Sequence, residues 1–138
     1  MKAEFNGTLA AARDLSLTVL EARIAVCRLD VGTEIPIWAT EAPFFSVTRT
    51  EDELSIVCPE VDIPAGVSQE QGWRALKLEG PFELSVVGIL ASVAKPLAEA
   101  GVSLFAVSTF DTDYVLVREG NLDLAVDALR EHGHEVRG

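Results

Sequence analysis

Two short polar turns carry residues whose types and spacing suit the binding of a small charged molecule. The first turn reads Gly80-Pro-Phe-Glu-Leu-Ser85, and the second reads Ser108-Thr-Phe-Asp-Thr-Asp113. The first turn leads into a predicted helix, whose unpaired N-terminal amides and positive dipole end favour an anion such as an α-carboxylate. The carboxylates of the second turn, Asp111 and Asp113, offer acceptors for an α-ammonium group or a cationic side chain. If the two turns meet, one site holds both a donor-rich end and an acceptor-rich end, as an amino-acid zwitterion requires.

Each of these residues also has a purely structural interpretation, and both interpretations stay open at this point. Glu83 and Ser85 can cap their own helix and complement its dipole. Asp111 and Asp113 are common hairpin-turn residues whose side chains can bond their own backbone. An exposed Phe110 would indicate a lid or an interface, whereas a buried Phe110 would belong to the core.

The remaining chemistry-bearing residues predict no catalytic residue, no metal site and no cofactor. The sequence contains no GxSxG, GxxxxGK[ST], HExxH or CxxC motif. His132 and His134 lack a third ligand at a plausible spacing, which disfavours a metal. Cys27 and Cys58 each lie inside an apolar run, which predicts buried free thiols.

The net charge and the hydrophobic content of the chain indicate which kinds of partner it can bind. The 138 residues carry 22 acidic and 11 basic side chains, a net charge of −11, and the bases are scattered singly. This charge disfavours nucleic acid as a partner. The 49% hydrophobic content and mean hydropathy of +0.26 are slightly high for a soluble globule, which favours burial against another subunit and a homodimer. No run reaches the roughly 20 apolar residues of a membrane span, and no signal peptide is readable, so we expect a cytoplasmic protein with no membrane partner.

The elements that position the two turns follow from hydrophobic periodicity. From Trp73 onward, an alternating strand, a helix ending at Gly101, two strands around the second turn, and a helix from Asn121 to His132 predict a βαββαβ order, with His134 opening a final edge strand. Pro96 inside the first helix removes the hydrogen bond to the carbonyl of residue 92. Two helices in this order belong on one face of an antiparallel sheet.

The first half of the chain repeats this order in a shorter form. Apolar runs over residues 15–19 and 23–29 predict strand, and Pro36 opens a single helical turn. A hairpin follows, with strands over residues 44–49 and 53–58, and residues 64–72 form a connector. We therefore expect a leader over residues 1–14, an N-terminal half over residues 15–72 and a C-terminal domain over residues 73–138.

The segment GPFELSVVGILASVAKPLAEAGVSLFAVSTFDTDYVLV closely resembles an ACT domain, the small-molecule-sensing module of many amino-acid-metabolic enzymes. It is similar in particular to the paired-ACT proteins that include the CASTOR-type arginine sensors. The resemblance implies an α+β, ferredoxin-like βαββαβ fold with two ACT-like halves, of which the first is abbreviated.

The resemblance also implies where a ligand binds. In these families, effectors bind around the first strand-to-helix turn and at the seam between two ACT units. Because those sensors carry two complete ACT pairs on a longer chain, the complementary wall here either comes from a partner subunit or is missing. A pairing of Glu83 with Asp113 would suit a basic amino acid. The resemblance carries a ligand role to Gly80, Glu83, Leu84, Val86, Val87, Thr109, Phe110 and Asp113, and the turn chemistry above adds Ser85 and Asp111.

Three hypotheses about function result, from three different classes. The first is a non-catalytic regulatory protein that binds an amino acid or a similar small metabolite at an ACT–ACT seam, as a homodimer. The alternative is a structural dimerisation module with no ligand. A small enzyme comes last, because the sequence supplies no catalytic constellation.

Overall fold

The computed structural model describes residues 15–82 and 88–138, which fall into two compact units. Unit 1 contains residues 15–21 and 74–138, and unit 2 contains residues 22–73. The regular elements are β1 (Ser16–Leu29), β2 (Ser46–Arg49), β3 (Leu54–Pro59), β4 (Ser68–Leu78), α1 (Ile89–Glu99), β5 (Leu104–Ser108), β6 (Asp113–Arg118), α2 (Leu122–Glu131) and β7 (Glu135–Arg137). The residues of β1 and of β4 are divided between the two units.

Unit 1 has the predicted ferredoxin-like order. Strand β4 is followed by α1, β5, β6, α2 and β7, and the strands are ordered β1-β4-β6-β5. The short β7 pairs with β1 in parallel, with Leu17 opposite Val136. The place beside β4 that the last strand of a ferredoxin-like fold takes is therefore held by β1, and β7 lies on the far side of β1.

Both helices of unit 1 cover the same face of its sheet. The alternation in β4 places Leu76 and Leu78 in the core, as predicted. Val93 and Leu97 of α1 and Leu129 of α2 belong to the same buried cluster, because the three- and four-residue steps of a helix gather its apolar side chains into one stripe. The helices end at glycines with positive φ, Gly101 at 78° and Gly133 at 101°, as the sequence predicts.

The proline in α1 is compensated by a histidine from the far end of the chain. Pro96 lies inside the helix, so it cannot donate to the carbonyl of Ser92. That carbonyl lies 3.0 Å from Nε2 of His134, whose side chain is buried, and Nδ1 of the same ring accepts the amide N–H of Leu15 at 3.2 Å. This pair of bonds fixes the tautomer, with the proton on Nε2. His134 thus joins α1 to the start of β1.

Unit 2 repeats the strand order without the helices. Its strands are ordered β2-β3-β1-β4, so β1 lies between β3 and β4 as β4 lies between β6 and β1 in unit 1. Two short 3-10 helices, Ile37–Ala39 and Glu60–Asp62, replace α-helices after β1 and β3. Ala39 and Ile63 anchor these segments to the small core of this unit, which also contains the free thiols Cys27 and Cys58. Burial, reinforced by Cys27 and Asp62, raises the pKa of Cys58 to about 12, so this thiol stays protonated at neutral pH.

The structure differs from the sequence-based expectation in three elements. The two predicted strand runs before Asp30 form one continuous strand, β1. Strand β4 starts at Ser68, so assigning residues 68–72 to a connector was wrong; Gly72, at φ 82°, allows the strand to continue through a locally distorted backbone. Helix α2 runs from Leu122 to Glu131, one residue shorter at each end than predicted, and the side chain of Asn121 at the N-cap position makes no capping hydrogen bond. A 3-10 turn, Glu119–Asn121, leads into that helix instead.

Candidate functional site

The two polar turns meet in unit 1. The amide of Phe82 donates a hydrogen bond of 2.7 Å to the carbonyl of Asp111. A Cβ atom added to Gly80 would lie 3.0 Å from the same carbonyl oxygen, so the close approach of the two backbones depends on glycine at this position. The condition that the sequence analysis set for a shared site, that the two turns meet, is therefore fulfilled.

The second turn is braced by its own threonines. The amide and Oγ1 of Thr109 donate to the carbonyl of Thr112 at 2.8 and 3.0 Å, and Oγ1 of Thr109 accepts the Thr112 amide at 3.2 Å. The hydroxyl of Thr112 is buried and donates to the carbonyl of Leu78 at 2.6 Å, at the end of β4. Thr112 thereby fixes the hairpin turn to the strand that precedes the first turn.

A cavity of about 300 Å³ lies between the second turn and the start of α1. We call this cavity the cup. Its volume is at the lower end of the range for small-molecule sites, about 300–1,000 Å³, which suits an amino acid better than a nucleotide. The residues that line the cup are Phe82, Gly88, Ile89, Leu90, Ala91, Ser108, Thr109, Phe110, Asp111, Thr112 and Asp113.

One wall of the cup is the N-terminus of α1. Gly88 takes the N-cap position with φ 91°, and the helix has no side-chain cap among the described residues. The first intrahelical bond that the structure describes runs from the Ser92 amide to the Gly88 carbonyl. The amides of Ile89, Leu90 and Ala91 precede that bond, and this end of a helix carries partial positive charge. The wall is therefore suited to an anionic group of a ligand.

The part of the lining that the second turn contributes is acidic. Asp111 and Asp113 are the charged residues of the lining that the structure describes, and neither carboxylate has a hydrogen bond or ion pair with another described residue. The alternative in which these side chains bond their own turn is therefore not what the structure shows within its described part. Two carboxylates and a helix N-terminus in one lining form the acceptor-rich and donor-rich ends that a zwitterion requires.

The residues predicted from sequence are distributed as follows. Thr109, Phe110, Asp111 and Asp113 line the cup, and Gly80 lies directly behind it. Phe110 is 69% exposed, which favours the lid or interface interpretation over a core role. The other predicted residues of the first turn, Glu83, Leu84, Ser85, Val86 and Val87, lie outside the described residues.

Sequence reasoning missed the helix wall and the threonine brace. The helix was expected to begin near Val86, which placed its N-terminus before Ile89, Leu90 and Ala91. Gly88 was the available signal, because glycine at a helix start adopts the positive φ observed here. Thr112 gave no signal, because a threonine in a polar turn is exposed more often than buried.

Metal-ligand clusters and membrane-length helices were both sought within the described parts of the chain. Among residues 15–82 and 88–138, no group of His, Cys, Asp and Glu side chains is arranged to hold a metal ion. Within the same ranges, no helix is long and apolar enough to cross a membrane.

Two protein-family models match successive parts of the chain. The family model of the ACT domain matches residues 68–131, the strand-turn-helix segment and hairpin that build the cup. A separate family model, of an N-terminal domain, matches residues 22–66, which begins where unit 2 begins.

Three known proteins are similar to this chain in sequence or in structure. The cytosolic arginine sensor for mTORC1 subunit 1 of Rattus norvegicus is 32% identical over 100 residues, or 67% of this chain. This chain spans only 30% of the length of that relative. A crystal structure of a protein from Agrobacterium tumefaciens is 40% identical, with a TM-score of 0.85, and the alignment covers 91% of this chain and 94% of the other. The regulatory subunit of aspartate kinase from Thermus flavus shares the fold at 7% identity, with a TM-score of 0.62 over 87% of this chain and 98% of that subunit.

Proposed function

This chain belongs to the ACT domain family, and we propose that it is a non-catalytic regulatory protein that binds an amino acid or a similar small metabolite in the cup. The single observation that carries the proposal is the pairing of the α1 N-terminus with two carboxylates across one amino-acid-sized cavity. The α-carboxylate of the ligand accepts from the amides of Ile89 to Ala91. Its α-ammonium group, or a cationic side chain, lies against Asp111 and Asp113.

A homodimer completes the site in this proposal. Phe110 lines the cup and is 69% exposed, and a large aromatic side chain of this kind suits burial against a second subunit. The arginine sensors similar to this chain are longer, and the match to this chain spans 30% of their length. In this proposal, a second copy supplies the ACT–ACT seam in trans. As in the relatives named cytosolic sensors, the protein acts in the cytosol.

Sensing requires that the ligand bind one state of the protein more tightly than another. In the proposed mechanism, the ligand bridges the cup of one copy and the facing wall of its partner, so it favours the associated state. The free energy of ligand binding then appears as a shift in dimerisation, which a downstream partner can detect.

A thermal-shift measurement across the amino acids tests the proposal. We expect one amino acid, or one chemical class, to raise the melting temperature, since a ligand that binds only the folded state stabilises it. Asp113→Ala should reduce that rise, and Asp127→Ala, which removes an exposed carboxylate from the middle of α2, should leave it unchanged. A rise that is equal in both variants would place the ligand elsewhere.

The alternative function, a structural dimerisation module, makes a different prediction in the same experiment. No amino acid would shift the melting temperature, while light scattering would show a dimer whose affinity is independent of every ligand. Phe110→Ser separates the two further. For a sensor, this variant should weaken both ligand binding and ligand-dependent association, whereas for an empty module it should affect association alone.

A further inference from the structure

Unit 2 exposes a concentration of large apolar side chains on one connection. Among the described residues, seven large hydrophobic side chains are exposed, and five of them belong to unit 2. Four of those five lie on the connection from β1 to β2: Val31 at 42%, Ile35 at 48%, Ile37 at 77% and Phe45 at 40% exposed. We call this connection, residues 30–45, the crossover surface. Single exposed apolar residues are ordinary, but a group of them on one segment marks an interaction site.

The crossover surface is held in place from beneath. Ala39 is fully buried in the core of unit 2, and Trp38 packs against that core. The guanidinium of Arg49 on β2 donates to the carbonyls of Val31 and Thr33, the second at 2.7 Å. The backbone of the segment is therefore fixed, while the side chains of its four exposed apolar residues remain in solvent. A surface ordered in advance binds a partner at a lower entropic cost than a loop that must be ordered first.

Charge decides what kind of partner fits this surface. The exposed apolar residues are interleaved with the exposed carboxylates of Asp30, Glu34 and Glu41. Unit 2 contains nine acidic residues and only three arginines. Each arginine is already engaged, Arg23 with Glu60, Arg28 with Asp30 and the Asp52 carbonyl, and Arg49 as described above. The crossover surface therefore offers apolar contacts and negative charge, with its neighbouring positive charges already used.

We propose that the crossover surface docks a basic amphipathic segment of another protein, in which apolar side chains alternate with lysine or arginine. The apolar residues of such a segment cover Ile35, Ile37 and Phe45, and its cations face Glu34 and Glu41. A second copy that pairs through the same surface is a poor occupant, because it would bring Glu34 and Glu41 of one copy against Glu34 and Glu41 of the other. This interaction is independent of the cup and does not require an amino acid.

Two synthetic helical peptides test the proposal, one of leucine and lysine and one of leucine and glutamate with the same spacing. We expect the lysine peptide to shift the amide resonances of residues 30–45 in an NMR titration, and the glutamate peptide to shift none. The double variant Ile35→Ser/Ile37→Ser should weaken binding of the lysine peptide by about tenfold or more, because buried apolar anchors dominate interface energetics. Leu124→Ser is the matched control. Leu124 is 48% exposed on α2 of unit 1, beside acidic residues, and its replacement should leave the affinity unchanged.

Three outcomes would overturn the proposal. Equal affinity in the double variant and the control would mean that the peptide is attracted by the overall negative charge. No shift among residues 30–45 at a peptide concentration that saturates binding would place the site elsewhere. Concentration-dependent self-association that the double variant abolishes, measured by analytical ultracentrifugation, would mean that a second copy covers this surface. Melting temperatures within about 2 °C of the parent would show that the exposed-site variants remain folded.

Discussion

The two units share one strand order and differ in what covers the sheet. In unit 1, two α-helices of 11 and 10 residues pack their apolar stripes onto the sheet and bury leucine, valine and isoleucine. In unit 2, two 3-10 helices of three residues each cover a core made largely of small side chains, among them Ala25, Cys27 and Cys58. The same strand order therefore carries a core of large side chains under α-helices in unit 1, and a core with more small side chains under 3-10 helices in unit 2.

This difference in the covering layer separates the proposed roles of the units. A full helix gives unit 1 an N-terminus with exposed amides and partial positive charge, which together with the acidic turn forms the cup. A three-residue 3-10 helix has almost no such dipole, so the corresponding turn of unit 2 offers no anion site. Instead, its connection exposes apolar side chains that a longer helix would have turned inward. The two proposals thus assign the small molecule to unit 1 and the macromolecular partner to unit 2.

The largest expected effect concerns the free energy that each unit loses when a large core side chain is truncated. We expect Leu78→Ala in unit 1 to lower the free energy of unfolding by about 3–5 kcal/mol, because the rigid helix layer cannot close the cavity. Ile56→Ala in unit 2 should cost about 2 kcal/mol, because the short 3-10 segments can settle into the space. Urea denaturation measures both values. A larger loss for Ile56→Ala would contradict the comparison.

The next effect tests the histidine that joins α1 to the start of β1. His134→Ala leaves the Leu15 amide and the Ser92 carbonyl without the partner that the structure shows, so we expect a loss of roughly 2 kcal/mol or more. His132→Ala is the control. His132 lies two residues before His134 and is less buried, so its replacement should change the free energy of unfolding by under about 0.5 kcal/mol. This bond belongs to unit 1 alone, because the short 3-10 helices of unit 2 contain no internal proline that frees a carbonyl. Equal losses in the two variants would show that the buried ring contributes nothing special.

The smallest expected effect concerns the contact between the two turns of the cup. Gly80→Ala places a Cβ atom 3.0 Å from the Asp111 carbonyl and should cost about 1–2 kcal/mol while moving the turns apart. Gly120→Ala adds a Cβ atom with no neighbour within 4 Å and should be neutral or slightly stabilising. Thermal denaturation measures stability, and calorimetry measures the affinity for the amino acid that the thermal-shift screen identifies. If Gly80→Ala binds that ligand as the parent does, the turns need not touch for the cup to work.

Much of the fold was predictable because its signals are local. Alternation in β4, the apolar steps of α1 and α2, and the glycines at both helix ends predicted unit 1 correctly. What failed depends on contacts distant in sequence. The strand beside β4 is the N-terminal β1, and the carbonyl freed by Pro96 is bound by His134, 42 residues away from Ser92. No periodicity reports such pairings.

The sequence predicted the acidic turn of the site, but it did not predict the start of α1 or the buried Thr112 hydroxyl. The ends of β4 and of the β5–β6 hairpin lie at the same edge of a ferredoxin-like sheet, so the topology alone brings Gly80 close to Asp111. The helix start at Gly88 and the buried hydroxyl of Thr112 depend on how the backbone leaves the first turn, which composition does not specify.

An NMR titration with each class of amino acid tests the central claim most directly. We predict that one class shifts the amide resonances of Ile89, Leu90 and Ala91 together with those of Thr109 to Asp113, and that Asp113→Ala abolishes both sets of shifts at once. Shifts confined to unit 2, or shifts that persist unchanged in Asp113→Ala, would contradict the claim that the helix N-terminus and the acidic turn hold a common ligand.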